Sequence, residues 1–99
     1  MLLPPMKTSD FLKELKEIDA RLDIIENPNC PGLSNIKLEG RDICPVPSED
    51  IREESDPNYS YSFPNGYIAR HNSRQDALNK VHHTLEYIKT EEGREVFFS

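Results

Sequence analysis

The sequence predicts a small single domain of the α+β class with the element order α-β-β-β-α. In this fold an antiparallel sheet of three strands, with a fourth as the alternative, is packed by two helices. Apolar residues recur with helical spacing near both ends of the chain and alternate with polar residues in the segments between. A length of 99 residues suffices for one core and excludes barrels and doubly wound sheets.

The first helix is expected to begin at Thr8 or Ser9, either of which can cap it, and to run to about Asp19. Its apolar face consists of Phe11, Leu12, Leu15 and Ile18. Residues 1–7 are expected to form a flexible tail, so the domain itself spans residues 8–99.

Strands are predicted at residues 21–26 and 35–39, separated by a turn rich in proline, and Gly40 permits a bulge or turn before residues 42–44. Residues 45–58 show no clear period and are expected to form a long acidic loop. Alternating aromatic residues then predict a hairpin or a bent strand built from residues 59–63 and 67–70.

The last helix is the clearest element. Ser73 followed by Asp76 resembles a capping box, and an apolar stripe continues to about Lys89. The members of that stripe are Ala77, Leu78, Val81, Leu85 and Ile88. Gly93 is expected to end the helix, and residues 94–99 are expected to form a short strand or a frayed extension.

The composition bounds the possible functions. The net charge of −6 disfavours nucleic-acid binding, which draws affinity from neutralised phosphates. No apolar run reaches the roughly 18 residues of a membrane span, and no secretion signal is recognisable. We therefore expect a cytoplasmic protein, in the host cytoplasm if a virus encodes it. Cys30 and Cys44 are then expected to stay reduced.

The acidic loop predicts a non-enzymatic protein-interaction module. Five carboxylates in this loop exceed what solubility requires and suit a basic surface on a protein partner. These features would fit an adaptor, an assembly component or an inhibitor. Phages and mobile elements encode accessory proteins of this kind. The predicted partner-binding residues are Glu49, Asp50, Glu53, Glu54, Asp56, Tyr59 and Tyr61. A merely solvated loop is the alternative.

A second candidate site lies where the last strand meets the last helix. Helix N-termini attract anions, and neighbouring cations strengthen that attraction. The predicted anion-binding residues are Arg70, His71, Ser73 and Arg74. The alternative is that the two arginines only balance nearby acids such as Asp76 and Glu86.

Two other function classes stay open. The element order resembles the outline of a double-stranded-RNA-binding domain, and in that case Arg70, Arg74 and Lys80 would contact phosphates. A small enzyme would use His71 as general acid or base.

Neither a cofactor nor a metal is expected. Adjacent His82 and His83 point about 100° apart on a helix, so they would not share a metal ion.

Overall fold

The computed structural model describes residues 4–49, 51–53, 60–62, 68–70 and 73–99, with 60–62 and 68–70 described as backbone. Its elements are α1 (Thr8–Ile18), β1 (Leu22–Glu26), β2 (Leu33–Leu38), β3 (Arg41–Pro47), β4 (Ser60–Ser62), β5 (Ile68–Arg70), α2 (Arg74–Tyr87) and α3 (Glu91–Phe98). The α+β class is confirmed, with a three-stranded antiparallel sheet and three helices in the order α-β-β-β-α-α.

The sheet has the order β1-β2-β3, and one of its faces carries the core. Because side chains alternate along a strand, Leu22, Ile36 and Val46 share this inner face, and all three are buried. Both long helices cover it: Phe11 and Leu15 of α1 and Ala77 and Val81 of α2 belong to the same buried cluster. The predicted apolar faces are therefore the ones that pack.

The turn between β2 and β3 is a two-residue hairpin loop. Leu38 pairs with Arg41, and Glu39 and Gly40 have φ angles of 50° and 83°. Two consecutive positive φ angles are the signature of a type I′ turn, which suits the twist of the flanking strands. The turn expected at Gly40 is confirmed. A bulge also occurs, but at Ile43, where the register shifts opposite β2.

The third strand of the sheet, β3, was not predicted as a strand, and it continues to Pro47 through the start of the expected loop. Pro45 and Pro47 pair with Asn35 and Leu33 of β2. Proline lacks an N–H, and β3 lies at the edge of the sheet, where such residues are tolerated.

The strand at the opposite edge of the sheet is β1. There the backbone N–H of Ile24 donates a hydrogen bond to Asp23 Oδ1 at 2.8 Å.

The start of the domain differs from the prediction in two respects. Neither Thr8 nor Ser9 caps α1; the N-cap is Lys7, which makes no side-chain capping bond. Thr8 instead donates its hydroxyl to the carbonyl oxygen of Ser48. Met6, which the sequence places in a tail, forms an isolated antiparallel bridge with Ile51.

The predicted hairpin is confirmed, because β4 and β5 pair antiparallel. They form a two-stranded sheet of their own.

The end of the chain corrects the prediction. Ser73 does cap α2, accepting a bond from the N–H of Asp76. However, residues 91–98 form a separate helix rather than a strand or frayed extension. Thr90 caps it by accepting from the N–H of Gly93 at 2.9 Å. Gly93 is therefore not a terminator: it lies inside α3, where a Cβ atom would be 1.9 Å from the carbonyl oxygen of Tyr87.

Candidate functional site

The candidate site is built around the acidic segment, which we define as residues 48–56. Its first residue is fixed by three hydrogen bonds. The N–H of Ser48 donates to Gly32 O at 3.0 Å, the Ser48 hydroxyl lies 2.9 Å from that of Ser34, and the Ser48 carbonyl accepts from Thr8. The segment therefore leaves β3 in a defined direction.

Ile51 anchors the segment in the core. Its side chain is fully buried, and it exchanges two backbone bonds with Met6, at 2.7 and 2.9 Å. Burial of one isoleucine stabilises the fold by about 1.5–3 kcal/mol. This apolar residue among carboxylates has no periodic neighbours in the sequence, which is why its role was not predicted.

The segment next attaches to the start of α2 through backbone carbonyls. Arg52 O accepts from the N–H of Arg74 at 2.7 Å, and Glu53 O accepts from the N–H of Gln75 at 3.3 Å. These bonds satisfy two of the amides that a helix leaves without internal partners. The same two amides are among those that an anion at this helix end would use.

Side chains reinforce this attachment in what we call the ionic cluster, formed by Glu14, Glu53 and Arg74. Arg74 Nε donates to Glu14 Oε2 at 2.9 Å, and its Nη1 donates to Glu53 Oε1 at 2.7 Å. A further bond joins Nη2 to Glu14 Oε1. The hydrogen bond to Glu14, with smaller contributions from Glu53, raises the pKa of Arg74. The cluster thus links α1, the acidic segment and α2.

The two predicted sites therefore meet in one ion pair. Glu53, predicted to bind a partner, and Arg74, predicted to bind an anion, contact each other. The expectation that Arg74 balances acids holds, but its partners are Glu14 and Glu53 rather than Asp76 and Glu86. Sequence reasoning missed Glu14 because nothing in the pattern of α1 indicates a contact with a residue 60 positions away.

The other predicted residues are distributed as follows. Glu49 is exposed, and Ser73 is buried as the cap of α2. Tyr61 and Arg70 lie in β4 and β5, where only the backbone is described. Outside the described residues lie Asp50, Glu54, Asp56, Tyr59 and His71.

The remaining residues that bear reactive groups show little sign of chemistry. Burial raises the pKa of the Cys44 thiol to about 11, with the charge of Asp76 acting in the same direction and that of Lys80 against it. A thiol with that pKa is protonated at neutral pH and is a poor nucleophile. His82 and His83 are both exposed.

Among the described residues, no group of three or more His, Cys, Asp or Glu side chains could hold a metal ion. None of the described helices is long and apolar enough to cross a bilayer.

Comparisons of the chain with protein-family models, with curated proteins and with solved structures find no match. The function must therefore be inferred from the geometry of the chain itself.

Proposed function

We propose that this chain is a non-enzymatic protein-interaction domain that binds a basic surface of a protein partner through its acidic segment. The observation that supports the proposal is the anchoring of that segment. It is held by Ser48 at its start, by Ile51 in the core and by Glu53 at the helix.

Anchoring favours binding over mere solvation for an energetic reason. A free loop loses conformational entropy when a partner orders it, about 0.5–1.5 kcal/mol for each immobilised long side chain. The described part of the segment, residues 48–49 and 51–53, is already fixed by folding and avoids part of this loss. Its carboxylates also attract a basic partner over a distance and raise the association rate.

The ionic cluster divides the five acids into two roles. Glu53 positions the segment, because its carboxylate is engaged by Arg74. The partner-binding role then falls to Glu49, which is exposed, and to Asp50, Glu54 and Asp56. Tyr59 and Tyr61 are the proposed aromatic anchors, since tyrosine is enriched in the energetically dominant parts of interfaces. Such a surface suits an adaptor, an assembly component or an inhibitor.

A pull-down from the native lysate, analysed by mass spectrometry, tests this proposal. The bait variant neutralises the segment without touching the ionic cluster, by combining Glu49→Gln, Asp50→Asn, Glu54→Gln and Asp56→Asn. The control variant removes the same charge from exposed acids on α1 and α3, by combining Glu17→Gln, Glu91→Gln, Glu92→Gln and Glu95→Gln.

The expected result is a protein that wild type and control retain, that the segment variant loses, and that nuclease treatment does not remove. Equal loss with both variants would show that net charge alone is responsible and would overturn the proposal. Capture that depends on nucleic acid would also overturn it, in favour of the corner that contains Arg70, Arg74 and Lys80.

A further inference from the structure

The hairpin of β4 and β5 is a sheet of its own, and each of its two strands has one edge that pairs with no described strand. Ser60 pairs with Arg70, and Ser62 pairs with Ile68. Residues along an antiparallel strand direct their N–H and C=O groups alternately towards one neighbour and the other. Among the described residues, no backbone hydrogen bond joins β4 or β5 to any other element. The outer edge of β4 therefore offers backbone groups to which another strand could bond.

The strand β4 also lacks the charges that usually protect such an edge. It is the only described strand without a charged residue, and residues 57–69 as a whole contain no Asp, Glu, Lys or Arg. This stretch is unusual in a chain of which 30% is charged. The other strand of the hairpin, β5, ends at Arg70, so the edge of β4 is the better candidate for pairing with another strand.

The sequence around β4 is symmetric. In residues 59–63, Tyr61 lies at the centre, a serine lies on either side of it, and an aromatic residue lies at each end. An antiparallel pair of identical strands centred on Tyr61 places Ser60 of one copy opposite Ser62 of the other. It also places aromatic residues opposite aromatic residues, and such cross-strand pairs stabilise a sheet. The strand is complementary to itself, and this favours a second copy of the chain as its partner.

We propose that two copies of this chain form a dimer in which their β4 strands pair antiparallel about Tyr61. The product is a sheet with the order β5-β4-β4-β5 and a twofold axis, the commonest symmetry of protein oligomers. Two strands alone form only a marginally stable sheet in water, so each hairpin stabilises the other. Because the two chains enter β4 from opposite ends, the acidic segments that precede this strand are kept apart. The dimer goes beyond the proposed function and does not depend on it.

Sedimentation equilibrium of the purified full chain tests the proposal by measuring the dissociation constant of the dimer. A repulsive variant combines Ser60→Lys with Ser62→Lys, and a complementary variant combines Ser60→Lys with Ser62→Glu. Position 60 of one copy faces position 62 of the other. Like charges therefore oppose each other twice in the first variant, and opposite charges do so twice in the second. The control, Asn79→Lys with Val96→Lys, adds the charge of the repulsive variant at exposed positions of α2 and α3.

We expect wild type, control and complementary variant to dimerise. The dissociation constant of the repulsive variant should be about tenfold or more above that of the complementary variant. Net charge does not explain such a difference, because two added lysines bring this acidic chain closer to neutrality and by themselves favour association. Three results would each rule out this dimer: a wild type that is monomeric at every concentration, equal dissociation constants of the two β4 variants, or a control that dissociates as readily as the repulsive variant.

The sedimentation experiment contains no partner protein and leaves the acidic segment intact. Its failure would remove the dimer and leave the proposed function standing, whereas failure of the lysate experiment would remove the proposed function and leave the dimer.

Discussion

Replacing Ile51 by alanine tests whether the acidic segment is part of the folded domain. The side chain is fully buried, and its backbone is bonded to Met6. Truncating a buried isoleucine to alanine costs about 2–5 kcal/mol, through lost burial and the cavity left behind. The total stability of a small domain is only about 5–15 kcal/mol. Because 1 kcal/mol shifts Tm by about 4–8 °C in a domain of this size, we expect Tm to fall by roughly 8–40 °C.

The assay is urea unfolding followed by far-UV circular dichroism, with Tm from a thermal scan as a second measurement. Two further variants calibrate the result. Ile51→Val should cost about 0.5–1.5 kcal/mol, since it removes one methylene. Ile25→Ala, at a position 45% exposed, should change stability by less than about 0.5 kcal/mol. If Ile51→Ala costs no more than Ile25→Ala, the segment is not anchored and the main support for the proposed function is lost.

Four further outcomes are expected. Replacing glycine by alanine inside a helix normally stabilises it by about 1 kcal/mol. In Gly93→Ala the new Cβ would lie 1.9 Å from the carbonyl oxygen of Tyr87, so urea unfolding should show lower stability than wild type. A gain in stability would refute the close contact. Arg74→Met should destabilise by about 1–2 kcal/mol, and molar salt should shrink the difference from wild type; a difference that salt leaves unchanged would refute the electrostatic role. Hydrogen bonds from the side chain and backbone of Arg21 hold the pKa of Asp19 below its usual value. Asp19→Asn should therefore lower Tm at neutral pH, and the gap from wild type should close below about pH 4, as the native carboxylate protonates; a gap that persists at low pH contradicts this. Iodoacetamide at pH 8 should alkylate Cys44 only after unfolding, as peptide mass spectrometry would show, whereas rapid native labelling would contradict its burial.

Patterns of residues close in sequence predicted much of the fold. The spacing of Phe11 and Leu15 predicted α1, and the alternation around Leu22 and Ile36 predicted β1 and β2. In each of these elements one face is buried, and the burial of one face produces a regular spacing of apolar residues that is visible in the sequence. Ser73 was recognisable as a cap because its partner is only three residues away.

The missed features depend on context that the sequence does not display. Pro45 and Pro47 favour a loop by composition, yet they fit a strand because β3 happens to be an edge. Gly93 suggested a helix end, but it lies inside α3 because only glycine allows the close approach to Tyr87. Thr8 has the chemistry of a cap, but its hydroxyl is bonded to a residue 40 positions away.

The candidate site was predictable only in part, for the same reason. The acidic character of residues 49–56 is evident from composition. Its attachment to the domain is not, because Glu53 and Arg74 lie 21 positions apart and Glu14 and Arg74 lie 60 apart. Long-range ion pairs leave no periodic signature.

The two edges of the sheet limit where a strand of another chain could pair with this domain. Along β1, the N–H groups of Leu22 and Ile24 already donate to Asp19 O and Asp23 Oδ1. Along β3, the positions of Pro45 and Pro47 offer no donor at all. At these four positions an incoming strand would therefore find no free N–H donor for a ladder, which disfavours fibril growth and strand exchange there. These positions thus protect the folded domain against pairing with strands of other chains.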